Sequence, residues 1–131
     1  MKIDARARLS LLLWAVALHS AAVGAGLIVL PAGAMKALGF PEGPDRFFRT
    51  QGGVFHLVVT LAYALAAWRP ERWPVLIAWT VAVKFAATAF LLVYYFAVEA
   101  KAVVLLSGLA DAAMGGIILA AWRGGRAGGG S

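Results

Sequence analysis

The chain has 131 residues, of which 63% are hydrophobic and 14% charged, with a mean hydropathy of +0.84. A soluble domain could not cover so apolar a composition with polar surface, so the sequence predicts an integral membrane protein. The absence of cysteine excludes disulfides, thiolate catalysis and thiolate metal sites. The net charge of +6 sits mainly at the ends of apolar runs, with no module for nucleic acid.

Four apolar runs in chain order, 9–30, 50–68, 74–98 and 102–122, each approach the ~20 residues an α-helix needs to cross the hydrocarbon core. Period-two alternation, the mark of a membrane barrel strand, is absent. The expected fold class is all-α: a single integral-membrane four-helix bundle over residues 1–123, with antiparallel neighbours and both termini cytoplasmic. The first run follows Lys2, Arg6 and Arg8 and contains Val23-Gly24-Ala25, a combination similar to a secretory signal. Its continuation through Leu27-Ile28-Val29-Leu30 predicts an uncleaved span instead.

Pro31 and Gly33 break the first helix, and Ala32 to Leu38 suits a short interfacial helix. Gly39, Pro41, Gly43 and Pro44 then favour turns, and Asp45 or Thr50 can cap the second span. Only Arg69 to Trp73 separates the second span from the third, with Pro74 fitted to a first helical turn. Val98-Glu99-Ala100-Lys101 joins the third to the fourth. One continuous helix from Pro74 to Trp122 would extend over roughly 70 Å, more than twice the apolar thickness. Gly124 to Ser131 reads as a flexible, linker-like tail.

With the N-terminus inside, Lys2, Arg6, Arg8, Arg69, Arg72, Arg123 and Arg126 gather on the cytoplasmic side, against Lys36, Arg46, Arg49 and Lys101 outside. That bias follows the positive-inside rule and predicts both termini in the cytoplasm. Trp68, Trp73 and Trp122 fall at the inner interface, and Phe40, Phe47, Tyr94, Tyr95 and Phe96 toward the outer one. Small residues at four-residue spacing predict close helix contacts at Ala22 with Gly26, at Ala78, Ala82 and Ala86, and at Gly108, Ala112 and Gly116. The same faces suit a homo-oligomer or a larger membrane complex.

Lys84 and Asp111 each lie near the centre of an apolar run, where a lone charge costs ~2.5 to 3.5 kcal/mol on insertion scales. Counted from Glu99, their depths differ by three residues, ~4.5 Å along a helix, within reach of a Lys side chain. An ion pair near the midplane is therefore expected, with His19 in the same layer. Helical periodicity extends the layer through Thr80, Lys84, Thr88 and Tyr95 on one helix and Ser107, Asp111 and Gly115 on the next. Arg49, His56, Thr60 and Tyr63 form a third stripe, and Gly52 and Gly53 admit close approach of a backbone or ligand. Together these stripes can line a narrow cavity open to the outside.

The candidate ligand-binding or proton-relay residues are thus Lys84, Asp111, His19, Thr88, Ser107, His56 and Arg49. A buried ion pair can equally serve only to fix helix partners, and Thr80, Thr88 and Ser107 can bond their own helix carbonyls. His19 and His56 are of the type that ligates haem, and either could join Asp111 on zinc, but no attachment motif or close ligand spacing supports these sites. No metal or cofactor is expected, and no catalytic signature occurs.

LGFP at Leu38 to Pro41, RFFRTQGG at Arg46 to Gly53 and RPER at Arg69 to Arg72 resemble small bacterial four-helix membrane proteins of the DoxX-like kind. The resemblance implies the architecture and a link to redox or membrane complexes. It carries over no catalytic residue, and Gln51 stands where a carboxylate precedes the glycines in those proteins. The expected function is binding, with transport of a small or amphiphilic molecule or a proton, at the Lys84–Asp111 centre. A non-catalytic assembly subunit is the alternative, and a membrane enzyme acting on a lipophilic substrate the third reading. The expected partners are membrane lipid, a small-molecule ligand and further membrane subunits, and no nucleic acid.

Overall fold

In hydrocarbon every backbone N–H and C=O must find an internal partner, and a continuous helix satisfies them all within one segment. A computed structural model describes residues 4–40 and 46–127. Within them lie α1 (Ala5–Val29), α2 (Ala32–Ala37), α3 (Arg46–Trp68), α4 (Pro74–Ala97) and α5 (Ala102–Ala127). All but α2 are long and apolar enough to cross a membrane. No strand occurs among the described residues.

The helices start and stop close to the expected points, with physical reasons for the differences. α1 begins at Ala5 because Ala5 to Arg8 are strong helix formers with no breaker among them. α3 takes in Arg46 to Arg49, so Thr50 lies inside the helix and does not cap it. The proposed cap Asp45 and the turn residues Pro41, Gly43 and Pro44 lie outside the described residues, as does 128–131 of the expected tail. α5 runs on through Gly124 and Gly125 to Ala127, where a loose tail was expected. Elongating an existing helix costs little compared with nucleating one. Basic Arg126 suits the last turn, and its guanidinium lies 4.6 Å from the Trp122 ring centre.

α2 forms where a short helix was expected, one residue shorter, and Gly39 follows it at φ +79°, a conformation suited to glycine. Pro74 occupies the first turn of α4. Between α4 and α5 the chain turns through Val98 to Lys101, where the Lys101 amide donates to the Glu99 carbonyl at 2.9 Å.

α1 lies along α3 and α4 along α5, and the two pairs meet through α1 with α5 and α3 with α4. Leu9, Leu13, Val16 and Ala17 of α1 pack with Tyr63, Ala66 and Ala67 of α3, Ile77 and Val81 of α4, and Ile118 of α5. This is the core end of the bundle. Ser10 Oγ donates to the Ala67 carbonyl at 2.7 Å, and Arg6 pairs with Glu71 at 2.7 Å on the surface. Arg69 and Arg72 stack on Trp68 and Trp73 with guanidinium-to-ring distances of 5.0 and 5.5 Å. Such Arg–Trp pairs suit an interface that is apolar on one side and wet on the other.

Away from the core end, glycines set the spacing within each pair. A Cβ on Gly53 would lie 2.7 Å from the Gly24 carbonyl oxygen, and one on Gly24 would lie 2.9 Å from that of Gly53. A Cβ on Gly108 would meet Leu91 Cβ at 3.2 Å, and one on Gly115 would meet Lys84 Cβ at 3.2 Å. These contacts replace most of those expected from small-residue spacing. Ala22 is exposed, Gly116 has no neighbour within 4 Å of an added Cβ, and Ala78, Ala82 and Ala86 all face outward. Small size permits close approach on any face, so spacing identified the candidates without selecting the inward face.

Candidate functional site

Lys84 and Asp111 meet as the matched depths predict: Lys84 Nζ donates to Asp111 Oδ1 at 2.6 Å. The lysine side chain is 5% exposed and the carboxylate 15%, so Asp111 is the more accessible partner. Gly115 lets the lysine stem lie against α5, since a Cβ there would crowd Lys84 Cβ. On its other side the ammonium sits 5.6 Å from the Tyr63 ring centre, and Tyr63 itself packs on Trp79 with ring centres 6.0 Å apart. An ammonium held between a carboxylate and an aromatic face exchanges its water for two favourable electrostatic contacts.

Thr88, one turn along α4, donates to the Lys84 carbonyl at 2.9 Å and approaches the Gly108 carbonyl at 3.2 Å. Its hydroxyl thus links α4 to α5 beside the ion pair. Thr80 donates to the Leu76 carbonyl at 2.7 Å and Thr60 to that of His56 at 2.8 Å. Such bonds to the preceding turn are the usual way a hydroxyl is satisfied inside a membrane helix.

His56 is half-buried where α1 crosses α3. Its Nδ1 lies 3.2 Å from Ser20 Oγ, and that same hydroxyl lies 3.2 Å from the His56 carbonyl oxygen. A serine hydroxyl has one proton, so both bonds form together when Nδ1 carries the ring proton and Ser20 donates to the carbonyl.

His19 corrects the expected layer. Its side chain is exposed, turned away from the bundle interior, and the adjacent Ser20, 1% exposed, takes the inward position. One residue is a rotation of 100° about a helix of 3.6 residues per turn, enough to exchange the two faces. Ser20, Tyr63 and Gly115 are the members of the centre that the sequence candidates omitted. Tyr63 and Gly115 already stood on the polar stripes, whereas nothing in the apolar surroundings of Ser20 distinguished it from His19.

Beyond the ion pair, α4 and α5 form one partly open groove of about 260 Å³. Phe90, Leu91 and Tyr94 of α4 and Val103, Val104 and Ser107 of α5 line it, with Phe40 from the segment after α2. Ser107 is one turn from Asp111 on α5, so the cavity lies next to the ionic layer. Arg49 stands in the first turn of α3, and its Nε is buried without a hydrogen-bond partner. Among the described residues no group of three or more His, Asp or Glu side chains is arranged to hold a metal.

Comparison with known proteins finds no matching family model, no matching curated protein and no matching solved structure.

Proposed function

We propose that this chain binds a small amphiphilic molecule in the membrane, against the Lys84–Asp111 centre, and passes it or a proton across that layer. The observation that carries this reading is the juxtaposition of a buried ion pair at 2.6 Å with a 260 Å³ cavity one helical turn away. An ion pair retained only for packing calls for no adjoining space, and replacement of such a pair by apolar residues is often neutral or stabilising. The carboxylate is the more accessible partner, able to receive a donor from a bound molecule or to take up a proton.

The setting belongs to the same proposal: a bacterial inner membrane, antiparallel neighbouring helices, and both termini in the cytoplasm with the core end facing it. Contacts of Ser10 with Ala67, Ser20 with His56 and Gly24 with Gly53 support the antiparallel course of α1 and α3. The Arg–Trp pairs at the core end suit the cytoplasmic interface. The likeness to DoxX-like proteins enters here as a likeness of architecture.

Replacing Lys84 by Met and Asp111 by Leu together tests the function. Native mass spectrometry from mild detergent is expected to show intact assembly with loss of retained ligand. Undiminished ligand and activity in the double variant would refute the reading.

A second reading is favoured by the exposed His19 and the outward Ala78, Ala82 and Ala86. Polar residues at this depth usually face protein, so these faces suit contact with a second copy or another subunit. Cross-linking between single-cysteine variants at Ala78 or Ala82 tests it against a background free of cysteine.

A further inference from the structure

His19 carries an unmet chemical demand at the centre of a membrane span. The midpoint of α1 (Ala5–Val29) is Ala17, so His19 lies ~3 Å from it along the helix axis. Its side chain is exposed, with no hydrogen-bond partner among the described residues. A neutral imidazole has one donor and one acceptor, and lipid tails satisfy neither. Histidine at this depth is almost always covered by protein or by a water-filled cavity.

The helix surface around His19 is shaped for another helix. Ala15 and Ala22 are exposed on either side of it, and a Cβ on Gly26 would meet only Leu30, at 3.5 Å. Ala15, His19, Ala22, Gly26 and Val29 follow alternating steps of four and three residues, the 3.5-residue period of a left-handed helix pair. This seam shares no residue with the face that α1 buries in its own bundle.

Small residues admit any close neighbour, but the imidazole selects one. Charge bias gives every copy of a chain the same orientation in the membrane. When α1 of one copy packs on α1 of another, the two therefore run parallel about a two-fold axis along the membrane normal, and each residue meets its counterpart at equal depth. Imidazole is self-complementary, because one ring nitrogen donates while the other accepts. A partner of different sequence would have to place a matching polar group at that level, whereas a second copy does so by symmetry.

We infer that α1 is a homodimer interface, in which two copies pack Ala15, Ala22 and Gly26 together and their His19 side chains form an N–H···N hydrogen bond across the axis. The inference rests on the second-copy reading above and places the contact on α1 and not on the Ala78 and Ala82 face of α4. It is independent of ligand binding.

The full chain in liposomes tests this, using copper-phenanthroline oxidation of single-cysteine variants in a cysteine-free background. Ala15→Cys and Ala22→Cys are expected to form disulfide-linked dimers several times faster than Ala78→Cys on α4 or Ala113→Cys on α5, all four positions being exposed. Faster linking at Ala78 overturns the α1 interface and leaves the second-copy reading standing on α4. Faster linking at Ala113, or none at any position, overturns both.

Energy transfer between terminally labelled copies, followed as lipid dilutes them, reads the role of the imidazole. His19→Leu is expected to weaken association roughly three- to thirtyfold, the range for one interhelical hydrogen bond in a membrane. His19→Asn, which keeps a donor and an acceptor, is expected to retain part of it. Ala22→Leu adds bulk outside the subunit's own packing and is expected to weaken association as well. Association equal to the wild type in either leucine variant overturns the inference.

Discussion

At the core end, Leu13, Tyr63, Ala66, Ile77 and Ile118 bring all four long helices together, each almost wholly buried. Beyond the Lys84–Asp111 layer, Gly24 lies on Gly53 within one pair and Gly108 on Leu91 within the other, and a cavity lies beside α4 and α5. The contrast teaches how a membrane bundle combines a tightly packed end with a more open one. Lipid tails solvate apolar side chains as well as a protein interior does, so helix association depends on packing quality and polar contacts. Where side chains interdigitate across four helices, the bundle is closed. Beyond it, glycines bring the helices of each pair close together, and a groove lined by α4, α5 and Phe40 stays open.

The largest expected effect falls on the boundary between the two ends. Lys84→Met alone strands the Asp111 carboxylate and is expected to lower the unfolding free energy by about 3–5 kcal/mol. Reversible titration with dodecyl sulfate in mixed micelles reads this directly, and a single variant as stable as the wild type would show that the pair is not held in a dry interior. At the core end, Leu13→Ala is expected to cost about 2–5 kcal/mol in the same titration. Val104→Ala beside the cavity is expected to cost less, because its surroundings are already incompletely filled. Equal losses at the two positions would erase the contrast.

The finest distinction lies among the glycines. Gly53→Ala drives a methyl toward Ile28 and the Gly24 carbonyl, at 2.6 and 2.7 Å, and is expected to destabilise by about 1–3 kcal/mol. Gly116→Ala meets nothing within 4 Å and is expected to stabilise by up to about 1 kcal/mol through helix propensity. Thermal unfolding of the two variants in detergent should move in opposite directions.

Several of these features were legible in the residues. The depth of Lys84 and Asp111 followed from counting outward from Glu99, because a helix converts residue number into distance along its axis. The close approach at Gly53 was likewise readable, since a Gly pair near a helix start has few other uses. His19 was misplaced for a related reason: periodicity assigns residues to faces but does not say which face turns inward. In a soluble helix the polar face marks the outside. In α1, apolar on nearly all sides, that marker is missing, and His19 and Ser20 differ by one step of rotation. The outward Ala78, Ala82 and Ala86 are the same case.

The order of the spans, their lengths and the level of the charged layer were written in the chain, because hydrophobic thickness and helical rise are one-dimensional constraints. The rotation of each helix, the choice of Ser20 over His19, the use of Gly24 and Gly115 as contact points and the cavity beside Phe90 and Val104 arose from assembly. These depend on how four surfaces of nearly uniform polarity fit together, and only mutual shape and a few polar bonds distinguish one fit from another.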